Sequence, residues 1–169
     1  ICASFAIHNP KHYSGRMNTQ FARIHSYTTY KTLGILMEAD RHPDYISHIK
    51  KPQKPLWYIK SNGKILAAIS EYIKLKAPFK YKNGTIKLRK RRKDHQCLCA
   101  GTLSWPDPCS ANHISAERNT MRNEWFKKTI LWLKKKYGEM LIGICIHKDE
   151  SHPHLHFFLV GDAQRILPG

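Results

Sequence analysis

Four histidines and two carboxylates crowd one stretch of this chain, His147-Lys-Asp-Glu-Ser-His-Pro-His-Leu-His156. His154 and His156 stand two residues apart, which on a strand puts both rings on the same face. Leu155, Phe157 and Leu159 then take the opposite face and can pack on helices. His147 closes a second, almost continuously apolar run that begins at Met140. The short connection between the runs predicts an antiparallel hairpin, which returns His154 and His156 to the side of His147. Three imidazoles with Glu150 or Asp149 in the turn are a divalent-cation site by ligand type, with positions left for water or phosphate oxygens. A lone histidine here would read as an ordinary hairpin side chain. A His-x-His pair with a third histidine and an acid at compatible positions is hard to reach by coincidence. His152 falls in the turn and is not expected to be a ligand.

Other elements must position this hairpin. Phe21–Tyr27 alternates and is rich in β-formers, so it predicts a first strand. Thr28 and Thr29 can cap a helix over about Tyr30–Arg41, with Leu33, Leu36 and Met37 on one face and His42-Pro-Asp44 as its stop. The segment Tyr45–Trp57 carries prolines at 52 and 55, which forbid a long helix and predict an ordered, extended loop. A helix is expected over Ile65–Lys76, and Lys80–Lys93 reads as a basic hairpin or arm turning at Asn83-Gly84. A strand is expected over Leu98–Trp105. Ser115 can cap an amphipathic helix over Ala116–Tyr137, which Gly138 stops.

The whole chain is strongly basic. Its 169 residues carry 29 Lys and Arg against 12 Asp and Glu, a formal charge of +17. Such an excess calls for a polyanion, and nucleic acid gains affinity from every counterion that a phosphate contact releases. A membrane surface is disfavoured because no long apolar face accompanies the basic clusters, and no run of about 18 apolar residues could span a bilayer. On charge alone an RNA binder of ribosomal type stays open. Five cysteines without paired CxxC spacing read as reduced, cytosolic thiols. Residues 1–16 are expected to be an irregular extension before a catalytic domain over 17–169. The ending Leu-Pro-Gly hints at a longer natural protein.

The histidine segment resembles the third motif of the Pre/Mob plasmid mobilisation relaxases (the MobV type), H-x-D-E-x-x-P-H-x-H, at every fixed position. The order of elements over roughly Gln20–Val160 is similar too, although nothing between Trp57 and Gln96 matches residue by residue. The resemblance implies an α+β fold of the HUH endonuclease type, in which helices cover the back of a central antiparallel sheet that carries the histidines. It implies Mn²⁺ or Mg²⁺ held by His147, His154 and His156. Glu150 would serve as a further ligand or as a base, and Asp149 would hold the turn. The implied activity is DNA nicking at a plasmid transfer origin, on single-stranded or hairpin DNA, through a covalent protein–DNA intermediate. In such proteins a C-terminal region often mediates dimerisation, so a homodimer is possible in the full-length protein.

This resemblance also implies a histidine nucleophile after the first helix. His48 is favoured, because Pro52 and Pro55 stiffen its loop and Lys50 and Lys51 flank it; His42 is second, and Tyr45, Tyr27 and Tyr30 stay open. Arg89, Arg91 and Arg92, within Lys87–Lys93, are candidate DNA contacts together with Lys50 and Lys51. Trp57 and Tyr58, set among lysines, are candidate stacking platforms. The rival readings are a rolling-circle replication initiator or single-strand transposase, and a non-catalytic nucleic-acid binder with a structural metal.

Overall fold

The computed structural model describes residues 22–59, 62–92, 94–108 and 115–161. Among these described residues, seven strands and three α-helices follow one another. They are β1 (Ala22–Thr28), α1 (Thr29–Ala39), β2 (Leu56–Trp57), α2 (Asn62–Lys74), β3 (Ala77–Lys80), β4 (Ile86–Arg89), β5 (Gln96–Ser104), α3 (Ala116–Tyr137), β6 (Leu141–His147) and β7 (His154–Val160). Five of the strands form one antiparallel sheet in the order β1-β5-β7-β6-β2, while β3 and β4 pair only with each other.

The register of the large sheet decides what meets what. One row across it reads Arg23, Thr102, His156, Cys145 and Trp57; the row two residues on carries Ser104, His154 and His147. Because side chains alternate between faces, both rows lie on the same face. On the other face Leu155, Phe157, Leu159, Ile144 and Ile146 pack against Phe126, Ile130 and Leu133 of α3, whose apolar positions recur at helical spacing. Ser115 caps that helix by accepting from Arg118 N at 3.2 Å, and Gly138 ends it with φ +50°.

Phe158, Ala100 and Cys145, on the histidine face, pack under Leu36 and Ala39 of α1 and Ile65 and Ile69 of α2. Helices therefore cover both faces of the sheet, not its back alone. Close packing is sharpest at Gly101, opposite Phe157 in the register, where a Cβ would collide with the Phe157 ring. Among the described residues, no helix is long and apolar enough to cross a membrane.

Several expectations shift. Helix α1 ends at Ala39, two residues early, because Arg41 adopts φ +62° and turns the chain back. His42 does not simply stop the helix; its ring accepts from Asp44 N at 3.4 Å and starts a short 3₁₀ turn, Pro43–Tyr45. Leu33 proves exposed, and Thr32, Leu36 and Ala39 form the buried face. The loop after His48 contains the two-residue strand β2, an edge pairing that its prolines concealed. Trp57 packs against Phe158 and donates to Asp40 Oδ1 at 3.0 Å, so it belongs to the core edge and is not a stacking platform; Tyr58 is exposed. Cys97, Cys99 and Cys145 are free and buried. The expected extension over residues 1–16 lies outside the described residues, as do the last eight residues of the chain.

Candidate metal centre and cleft

The hairpin β6–β7 brings the three predicted histidines together, with His147 directly opposite His154. One ring nitrogen of each faces the others, and these atoms all lie within 4.8 Å of one another. His154 Nε2 is 3.0 Å from His156 Nε2 and 3.3 Å from His147 Nδ1. The remaining nitrogens are tied back. His147 Nε2–H donates to Ala39 O at 2.8 Å, His154 Nδ1–H donates to His152 O at 2.9 Å, and His156 Nδ1 meets the Thr102 hydroxyl at 3.3 Å. A carbonyl only accepts, so His147 and His154 carry their protons on the rear atoms and, as neutral rings, turn bare lone pairs toward each other.

Two bare lone pairs at 3.3 Å have no proton to share. A divalent cation resolves that repulsion, and adjacent donors about 2.1 Å from an ion stand roughly 3.0–3.4 Å apart. The rear hydrogen bonds are the outer-shell partners that fix tautomer and ring orientation in metal sites. Burial, reinforced by the Arg41 charge, pushes the His147 pKa down to about 4. Burial and the neighbouring His154 and His147 rings hold His156 well below its ordinary value. Both rings are thus neutral near pH 7, as a ligand must be.

Glu150 completes the group, its Oε1 lying 3.4 Å from His154 Nε2. The same oxygen accepts from Arg41 Nη2 at 2.7 Å. Arg41 also forks onto Asp149, with Nη2 to Oδ1 at 2.6 Å and Nε to Oδ2 at 2.9 Å. Asp149 accepts again from Gln53 N at 3.0 Å. Burial alone would raise the Asp149 pKa, but the Arg41 and Gln53 bonds outweigh it and hold the carboxyl below its usual value. Asp149 is therefore a hub: it grips the chain just before His42 and again five residues after His48. Arg41 escaped the sequence reading, since a basic residue ending a helix gives no sign of a carboxylate partner 108 positions away.

A cleft of about 390 Å³ opens over this face. Arg23, Thr102, Ser104, His154 and His156 line it from the sheet, and Glu150 and His152 from the turn. Glu38 of α1 and Trp105 close its sides. Arg23, beside His25 on β1, reaches this site. Neither His42 nor His48 is among the lining residues; both are exposed on the clamped 41–53 segment, with His48 next to buried Ile49. Tyr45 packs edge-on against His42, Tyr30 is almost fully exposed, and burial raises the Tyr27 pKa. Lys50 and Lys51 are exposed. Arg89 lies exposed on β4 and Arg92 pairs with Asp94 at 3.1 Å, whereas Arg91 turns inward over the Tyr72 ring.

No curated protein matches the sequence. Solved structures do. The chain is similar to a Mn-bound crystal structure of the MobM relaxase domain (MOBV; Mob_Pre) on 22 nucleotides of plasmid pMV158 oriT DNA, at TM-score 0.60 and 14% identity, covering 88% of this chain and 76% of that one. A second Mn-bound MobM structure, with a 3′-thiophosphate, matches at TM-score 0.59 and 16% identity over the same shares. At these identities the likeness establishes the α+β relaxase fold. The family model described as plasmid recombination enzyme, Mob_Pre, matches residues 67–166, which is more than half of the chain and takes in the entire histidine motif. The chain belongs to the Pre/Mob family of plasmid recombination enzymes.

Proposed function

We propose that this protein is a metal-dependent DNA relaxase that nicks one strand at a plasmid transfer origin by transesterification. One observation carries the reading: three imidazoles aim one ring nitrogen each at a common point, beside the Glu150 carboxylate, and two of them line an open cleft. The MobM structures, Mn-bound and on oriT DNA, support both the choice of cation and the choice of substrate. In this reading residues 17–169 form the catalytic domain, acting in the bacterial cytoplasm.

His147, His154 and His156 would hold Mn²⁺ or Mg²⁺, with Glu150 as neighbour or fourth ligand. When bound, the cation polarises a phosphate oxygen and offsets developing charge. The chain supplies the rest. Arg23, at the cleft wall, meets the DNA backbone. Lys50 and Lys51 draw the strand onto the 41–53 loop. The nucleophile is assigned to His48, with His42 as the second candidate. Its nitrogen forms a bond to phosphorus as the bond from phosphorus to the leaving sugar oxygen breaks, so the phosphodiester energy is kept in the protein–DNA link. Glu150, which accepts a hydrogen bond from Arg41, takes up the proton that the attacking ring gives up, and that proton passes on to the leaving sugar oxygen.

The test is incubation with supercoiled plasmid bearing the cognate origin, and with single-stranded oligonucleotides, in the presence of Mn²⁺. A denaturation-resistant protein–DNA adduct is expected, absent in His154→Ala and in His48→Ala. An adduct retained at full yield in a folded His154→Ala protein sinks the reading. An adduct lost only on tyrosine replacement moves it to the replication-initiator and transposase enzymes.

A further inference from the structure

Two carboxylates line the cleft, Glu38 and Glu150, in a protein whose formal charge is +17. Glu150 is accounted for by its contacts with Arg41 and His154. Glu38 is not. It is half-buried near the end of α1 and stands outside the histidine group. Among the described residues its carboxylate has no hydrogen-bond or ion-pair partner. Such a charge repels a phosphate, so a DNA strand in this cleft must turn some other group toward it.

Trp105 is the second wall residue that the histidine site leaves without a role. It follows Ser104, which stands opposite His154 in the sheet, and its N–H donates to Pro153 O at 2.8 Å. Two residues on, Arg118 forks onto Asp107 at 2.7 and 3.1 Å, which ties the turn to α3. The Trp105 ring meets Trp125 in a T-shaped contact with centroids 5.7 Å apart. Trp125 packs against the core, whereas Trp105 is half-buried and belongs to neither apolar layer. A T-shaped contact engages at most one face of a ring, so the indole keeps a face for a planar guest. Its backbone is already fixed, which lowers the entropic cost of binding.

We propose that Trp105 and Glu38 form a base-reading pocket for guanine on the single strand held in the cleft. Trp105 stacks on the base, a contact open to all four bases. Glu38 selects among them. A carboxylate only accepts, so it favours an edge made of donors. Guanine offers two parallel N–H groups, at its ring nitrogen and its amino group, to match the two carboxylate oxygens. Adenine and cytosine set a ring-nitrogen lone pair beside their amino group, and thymine flanks its single N–H with carbonyl oxygens. This edge is free only on unpaired DNA, where side chains can reach it. Charge orients the nucleotide, with phosphate toward Arg23 and the histidines and the base toward Glu38. The cleft, at about 390 Å³, lies within the size range of small-ligand pockets. This inference rests on the proposed DNA-nicking function and adds to it the residues that choose a base.

The test reads anisotropy of labelled oligothymidylate, and of the same strand with one central deoxyguanosine, deoxyinosine, deoxyadenosine or deoxycytidine. Mn²⁺ and physiological salt are present, the salt to weaken non-specific phosphate binding. Wild type is expected to bind the deoxyguanosine strand about tenfold more tightly than the thymidine, adenosine and cytidine strands. Deoxyinosine, which lacks the amino group, should fall between. Glu38→Gln replaces one acceptor with a donor and should abolish the guanine preference in favour of adenine. Trp105→Ala should weaken every strand about tenfold without changing their order, and Trp105→Phe should recover most of that loss. Equal affinity of wild type for all the strands overturns the pocket, and that comparison needs no variant. So does a guanine preference that survives Glu38→Gln, or unchanged binding by a natively folded Trp105→Ala protein. Any of these results beside normal adduct formation on the cognate origin rejects the pocket alone. A wild type that forms no adduct there rejects the DNA-nicking function beneath it.

Discussion

Arg41 and Asp149 form a two-pronged buried ion pair, at 2.6 and 2.9 Å, between the end of the first helix and the turn of the histidine hairpin. Both side chains are almost wholly withdrawn from solvent. Arg41 holds a left-handed backbone to make the pair, which costs roughly 1–2 kcal/mol for a residue with a Cβ. The arrangement persists because it satisfies two carboxylates and the Gln53 N–H together.

Removing the Asp149 charge leaves the buried guanidinium with Glu150 as its only carboxylate partner among the described residues. Asp149→Asn is expected to destabilise the protein by about 3 kcal/mol in urea unfolding. It should also slow single-turnover nicking far more than it weakens Mn²⁺ binding, because the three histidine nitrogens remain while the 41–53 loop loses its charged two-pronged tether. Arg41→Lys keeps the charge without the fork and should fall between wild type and Asp149→Asn. Equal losses of metal affinity and rate would contradict this division of roles.

Metal removal separates a catalytic from a structural ion. The sheet packs on two apolar layers that do not need the ion, so chelation should abolish adduct formation while circular dichroism stays native. Adding Mn²⁺ at a hundred times its Kd should raise stability by about 2.7 kcal/mol, an effect absent in His154→Ala. Global unfolding on chelation would instead favour the structural-metal reading.

Acid acts on the metal-free protein through the same rings. The His147 pKa lies near 4 in the folded state and near 6.5 when the chain unfolds. As pH falls through this window the unfolded chain takes up the proton first, so stability is full above about pH 6.5 and declines toward pH 4. For His147 alone the loss is about 3 kcal/mol, and the depressed His156 adds to it in the same direction. Urea midpoints measured in chelator at pH 7.5 and pH 5 should show the drop, and His147→Gln should flatten it. A wild-type midpoint that does not move across that range would be inconsistent with buried neutral rings.

Gly101 tests the packing between β5 and β7. Gly101→Ala forces a methyl against the Phe157 ring and is expected to cost about 1–3 kcal/mol. Gly101→Ala/Phe157→Leu should recover part of that loss, a non-additivity that thermal melts can read.

The hairpin was legible because its information is local: alternation, a short turn and three histidines within ten residues. Helix α3 was equally plain, with apolar spacing, a serine cap and a terminal glycine all in agreement. What escaped the sequence reading depends on distant partners. Arg41 becomes intelligible only beside Asp149, and Trp57, set among lysines, packs on Phe158 from another strand. Strand β2 escaped because two residues beside prolines give no periodicity, though the edge of β6 is there to pair with them. Arg91 looked like its basic neighbours until Tyr72 was seen beneath it.

The hydrogen bond from His147 to the Ala39 carbonyl joins the ion site to the tail of the first helix. A cation drawing electron density through the front of that ring makes its rear N–H a stronger donor. Ion loading would therefore tighten the last turn of the helix and, one residue beyond Asp40, the arm of Arg41. Occupancy of the site and order in the 41–53 segment would then be coupled, and amide exchange in that segment is expected to be faster without the ion than with it.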